Sequence, residues 1–168
     1  MASADTYGTI ILSPEPRGRF LDVIINGTPK PGVVMQPDLG VEKVGGKFTY
    51  EVANTSADGV NPIGPIAVLL NDELQGKPIN STPLLTDAYV DGKLGRVYFP
   101  LPGDELLMQL QDVAGTGDDH TIGEVLMVDD GTGQLLVTTG VDCEPFVCLE
   151  TITDPAADSW AHVMFSGY

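Results

Sequence analysis

Basic residues run out early in this chain. All eight Lys and Arg lie at or before Arg96, where eleven acids leave a net of −3, while residues 97–168 hold thirteen acids and no base. The 168 residues together carry a net charge of −16. A field of that sign repels nucleic-acid phosphates and anionic membrane surfaces, so neither nucleic acid nor membrane is expected as a partner. No apolar run approaches the ~20 residues of a membrane-spanning helix. The opening MASADTYGTIILSPEPRGRF lacks the basic and apolar regions of a secretory signal.

Chemistry-bearing residues are equally scarce. There are two histidines. His120 follows Asp118-Asp119 in a Gly-rich loop and reads as a solvated imidazole; His162 lies near Trp160 on a strand face. Neither belongs to an HExxH pattern or sits at zinc-like spacing from a cysteine, and no serine occupies a GxSxG elbow. No catalytic set and no cofactor site is therefore expected. The two cysteines, Cys143 and Cys148, would point to opposite faces of a single strand, so both are expected reduced, one as a small core residue, in a protein made in a cytoplasm.

Clustered carboxylates raise the question of Ca²⁺. The candidates for a hard cation are Asp129 and Asp130, but their spacing does not match an EF-hand loop, and Asp-Gly is an ordinary turn signal. Gly115-Thr116-Gly117 lacks the lysine of a phosphate loop, and the acids beside it would repel phosphate. The triplets beginning at Asn26, Asn54 and Asn80 fit the glycosylation pattern and, with no secretion signal, are read as chance.

What the chain has in quantity is β punctuation. Twenty Gly and thirteen Pro are scattered between short apolar runs, and no segment of 11 or more residues keeps a 3.6-residue period well. Asn71–Gln75 is the sole candidate for a helical turn. Val125–Val128 and Leu135–Val137, joined by Asp129-Asp130-Gly131-Thr132-Gly133, form a hairpin of the longer-loop kind. Glu105–Gln111, Phe146–Thr151 and Ala161–Phe165 are expected as strands around that hairpin, which is placed at the centre. Phe48, Tyr50 and Val52 alternate on one strand face, and Val97 and Phe99 oppose Tyr98 on another. Ile66–Leu70 is a buried-type run, and Asp91-Gly92 is read as a second hairpin turn. Glu150 is the odd charge in its apolar run: it either faces solvent by alternation or is a partnered, half-buried acid at a subunit contact.

These signals predict an all-β fold, a compact β-barrel or β-sandwich of short antiparallel strands. Residues 20–168 form a single β domain, with a possible subdivision near residues 96–102 where the charge changes. Residues 1–19, interrupted by Pro14 and Pro16, are an extended N-terminal arm. It could cover its own domain or reach a neighbour, and the residues expected to touch a partner are Ile10, Ile11, Leu12, Arg17 and Arg19.

Four stretches carry a family resemblance: GRFLDVIINGTPKPGVVMQPD (18–38), FPLPGDELLMQL (99–110), IGEVLMVDDGTGQLLVTTG (122–140) and EPFVCLETITDPAADSWAHVMF (144–165). They resemble the decoration, or cement, proteins of tailed-bacteriophage capsids. In that group a Pro-Gly-Asp turn leads into a β run, a G-D/E-x-L strand and a Gly-turn hairpin follow, and an A-x-E strand precedes the last short strand. Cys148-Leu149-Glu150 stands where the group has Ala-x-Glu. The resemblance implies a non-enzymatic virion protein on the outer capsid surface, synthesised in the bacterial host cytoplasm. Its partners would be the major capsid protein and itself, as a homotrimer. Two other readings are a tail, fibre or host-attachment module and a Ca²⁺-dependent β-sandwich binding domain.

Overall fold

A computed structural model describes residues 10–53, 65–71, 87–111, 119–129, 131–137, 145–153 and 159–167. Among them there is no helix, and the chain is all-β. The described residues form ten strands in order: β1 (Arg19–Ile25), β2 (Val34–Pro37), β3 (Thr49–Val52), β4 (Ala67–Leu69), β5 (Leu94–Phe99), β6 (Glu105–Gln109), β7 (Val125–Val128), β8 (Leu135–Val137), β9 (Phe146–Cys148) and β10 (Trp160–Phe165). Strands β1–β5 close a barrel in the order β1-β3-β2-β4-β5, and β6–β10 form a sheet in the order β6-β10-β9-β7-β8. All pairings are antiparallel except β1 with β3, which are parallel over two residue pairs.

The side-chain alternation of a strand places successive residues on opposite faces, and here both faces of the barrel wall are covered. Val23, Ile25, Met35, Tyr50, Ala67, Leu69 and Val97 fill the barrel interior. Their neighbours Val34, Val68 and Tyr98 point outward and join Leu106, Leu107, Leu126, Phe146, Val163 and Phe165 of the sheet in a second, larger core. That is why Ile66–Leu70 is a continuous apolar run: a strand buried on both sides has no polar face to show. Val97 and Phe99 turn into the barrel and Tyr98 into the shared core, as their alternation predicts.

Polar links hold the two sheets together where side chains are buried. The Gln109 side chain donates to the Pro31 carbonyl at 2.8 Å and accepts from the Gln134 amide at 2.9 Å, so a buried amide meets partners from both halves. The Gly32 carbonyl accepts from Gln109 N–H at 2.9 Å, and the Gly133 carbonyl from Val34 N–H at 2.8 Å.

The sheet departs from the sequence expectations in several places. The β7–β8 hairpin forms with Val128 opposite Leu135, but it lies at one side of the sheet and β9 is the middle strand. A hairpin stays local, whereas the centre goes to the strand with partners on both flanks; β9 pairs with β7 and β10. Asp91-Gly92 is a turn, yet the strand after it pairs with β1 and β4, so it closes the barrel and forms no local hairpin. Phe48 does not follow Tyr50 and Val52 inward. It precedes β3 and is half exposed, with the Lys43 ammonium 3.9 Å from its ring centroid. Asn71 is irregular, and residues 72–75 lie outside the described residues.

Candidate functional site

At the junction of barrel and sheet the chain leaves β5, turns at Pro102-Gly103 and enters β6. A groove of about 680 Å³ opens there, its walls including Ile66, Phe99, Leu101 and Phe165, with Arg17 and Arg19 along one side. Leu101 is exposed in it, and Arg19, at the start of β1 opposite Phe99, has no ion-pair partner among the described residues.

A buried carboxylate braces this junction. Asp104 accepts from the Tyr98 hydroxyl at 2.6 Å and from Leu101 N–H at 2.8 Å, with Arg17 N–H more distant at 3.4 Å. The Arg17 guanidinium donates to the Pro102 carbonyl, and its Nε lies 3.8 Å from the Asp104 carboxylate. Tyr98 in turn accepts from Gly18 N–H at 2.8 Å. Gly18 is required by close approach: a Cβ there would lie 2.0 Å from the Phe99 carbonyl oxygen. The arm, β5 and the turn into β6 are thus tied through one side chain.

The electrostatics of the node favour fixed protonation states. Burial pushes the Asp104 carboxyl up, but the Tyr98 hydroxyl, the Leu101 and Arg17 amides and the Arg17 charge outweigh it and hold it below its ordinary value. Burial and the hydrogen bond to Asp104 push the Tyr98 hydroxyl up to about 12. One group stays ionised and the other neutral across the physiological range, so the pair is a clamp with no proton to exchange near pH 7.

The structure spreads the sequence candidates widely. Ile10 is fully buried in the shared core, Ile11 bridges to Leu106, and Leu12 N–H donates to the Glu105 carbonyl at 2.9 Å. The Ser13 hydroxyl accepts from Glu105 N–H at 2.6 Å. Residues 10–13 therefore cover the free side of β6 in their own chain, where an unpaired strand would expose its backbone. Arg17 and Arg19 come together at the groove, and residues 1–9 lie outside the described residues.

Asp129 serves its own turn: its carboxylate accepts from the Thr132 hydroxyl at 2.6 Å, and its N–H donates to the Gln134 carbonyl at 2.8 Å. Asp130 lies outside the described residues, among which no three His, Cys, Asp or Glu gather as a metal would need. His120 is buried, in contrast to the solvated imidazole expected, because its backbone pairs both ways with Ile152 and draws the loop onto the sheet. His162 does sit on a strand face, with Nε2 2.8 Å from the Glu105 carboxylate. Cys148 is a free thiol in the shared core, its pKa pushed up by burial, and Cys143 lies outside the described residues. Glu150 does not alternate to solvent, since β9 ends at Cys148; its carboxylate accepts from His162 N–H at 2.6 Å within the same chain.

Sequence reasoning missed Tyr98 and Asp104 as a pair. The only local signal was an aspartate closing a Pro-Gly turn, and such residues usually face water. No family model and no curated protein matches this chain.

Proposed function

We propose that this chain is a virion structural protein that decorates and stabilises the outer surface of an icosahedral phage capsid by binding the major capsid protein lattice, and that it transforms no molecule. The observation that carries this reading is the braced groove: an apolar trough with two guanidinium groups beside it, on a chain of net charge −16. On so acidic a surface, a rigid apolar–cationic trough selects a partner that offers apolar side chains next to carboxylates. The motif resemblance implies the shell protein as that partner. The overall negative charge favours the outside of a DNA-filled particle, away from packaged phosphates. The buried free thiol of Cys148 accords with synthesis in a reducing cytoplasm. Many copies on a repeating lattice tolerate weak single contacts, particularly if copies associate.

Purified particles should contain this chain in hundreds of copies, and added protein should rebind shells stripped of it. Arg19→Glu is expected to weaken rebinding by about tenfold or more, since it reverses a charge beside the groove that has no ion-pair partner among the described residues, while leaving the melting temperature near wild type. A particle without the chain, or with only a few copies as for a tail part, would overturn the reading.

A further inference from the structure

A second groove lies on the barrel flank, apart from the one proposed to meet the shell. It has a volume of about 460 Å³ and is walled by Phe20 and Phe48, which are 52% and 49% exposed. Lys47 and Arg96 line it, and the Lys43 ammonium lies over the Phe48 ring. Asp22, the one acid in the lining among the described residues, is held by Arg96 at 2.7 Å, and Phe20 is backed by the Tyr98 ring with centroids 5.1 Å apart. Phe20, Asp22 and Arg96 stand on paired strands of the closed barrel, and with Lys47 and Phe48 they make an aromatic and cationic trough in a chain with only eight bases.

The other half of the molecule carries an exposed aliphatic turn flanked by acids. Ile122, 68% exposed, sits in the tight turn before β7, with exposed Val125 beside it and Asp119 and Glu124 on either side. The turn is stiff. Thr121 N–H donates to the Glu124 carboxylate at 2.9 Å, Glu124 N–H to the Thr121 carbonyl at 3.0 Å, and Gly123 N–H to the Cys148 carbonyl at 2.8 Å. Aliphatic tip and acidic flanks are presented with little conformational entropy left to lose on docking. Ile122, Phe20 and Phe48 are all exposed, so the apolar surfaces of tip and trough are left uncovered within one copy.

We propose that the Phe20–Phe48 groove of one copy receives the Ile122 turn of a second copy, with Lys43 and Lys47 facing Asp119 and Glu124. Two chains of −16 repel at a distance, so association requires a local patch of opposite sign, and the trough is such a patch. Groove and tip are different surfaces, which makes the contact head-to-tail: it closes into a ring if the rotation permits and otherwise extends as an open chain. The contact uses neither Arg17 nor Arg19, so it stands or falls separately from attachment to a shell.

Sedimentation velocity of the full chain from about 10 µM to about 1 mM tests it. Wild-type protein should gain mass with concentration. Ile122→Asp and Lys47→Glu should each weaken association by about tenfold or more, with circular dichroism and melting unchanged; Asp119→Lys should weaken it by a similar factor, while Lys47→Glu combined with Asp119→Lys should regain it. The Glu124 side chain, which holds the turn, stays intact in every variant. A wild-type chain that remains monomeric throughout, association that ignores the single substitutions, or a double reversal that regains nothing would each overturn the proposal.

Discussion

Replacing Asp104 with alanine is expected to lower the unfolding free energy by about 3–5 kcal/mol, the range for removing one partner from a buried charged network. The buried Tyr98 hydroxyl and the Leu101 N–H would lose their acceptor, and the arm would lose the contact that Arg17 makes with the turn into β6. Arg17 contributes less to that loss, because its side chain is 61% exposed and solvent screens it. At about 2–4 °C per kcal/mol for a chain of this size, the melting temperature should fall by ten degrees or so.

The node also contributes to both limbs of the pH profile. Asp104 is depressed in the folded state, so its contribution is present above the ordinary carboxylate pKa of about 4 and is lost as pH falls through the lower native value. Tyr98 is raised to about 12, so its contribution is present below the ordinary tyrosine value and is lost as pH climbs toward that figure. Asp104→Asn should flatten the acid limb and Tyr98→Phe the alkaline one, each at a cost of about 1–3 kcal/mol at neutral pH. Urea titrations across pH would show this; an Asp104→Asn protein with an unchanged acid limb would refute the role given to the carboxylate.

Gly133→Ala is the second large effect, at about 2–4 kcal/mol. Its φ of +65° is in the left-handed region, and an added Cβ would lie 2.4 Å from the Val34 carbonyl oxygen and 3.0 Å from Val52 Cγ1. The same turn supplies a control. Gly131 has φ +80° but open space around its Cβ position, so Gly131→Ala should cost only the backbone strain of about 1–2 kcal/mol. Equal losses at the two positions would mean that contact of the hairpin turn with the barrel contributes nothing beyond local strain.

These two sites mark how far the sequence could be read. The strand runs and the β7–β8 hairpin were legible because alternation and turn chemistry act within a few residues. The opposed faces of Val97 and Tyr98 could be read in the same way, although nothing local shows that the outward face is buried as well. The docking of residues 10–13 on β6 depends on a strand over ninety residues away in sequence, joined to them through Ser13 and Glu105. Neither the burial of His120 nor the withdrawal of Phe48 from the core follows from its neighbours.

Alone, then, the amino-acid order determined an all-β chain of short strands, its turns, and a charge distribution with every base in the first ninety-six residues. Tertiary structure decided which strands close a barrel, which side of each strand meets the second sheet, and that Asp104 is buried beneath Arg17 and Tyr98. The division has one physical cause. Backbone preference and periodicity are properties of neighbours along the chain, whereas burial and partnered charge arise when distant segments exclude water from one another.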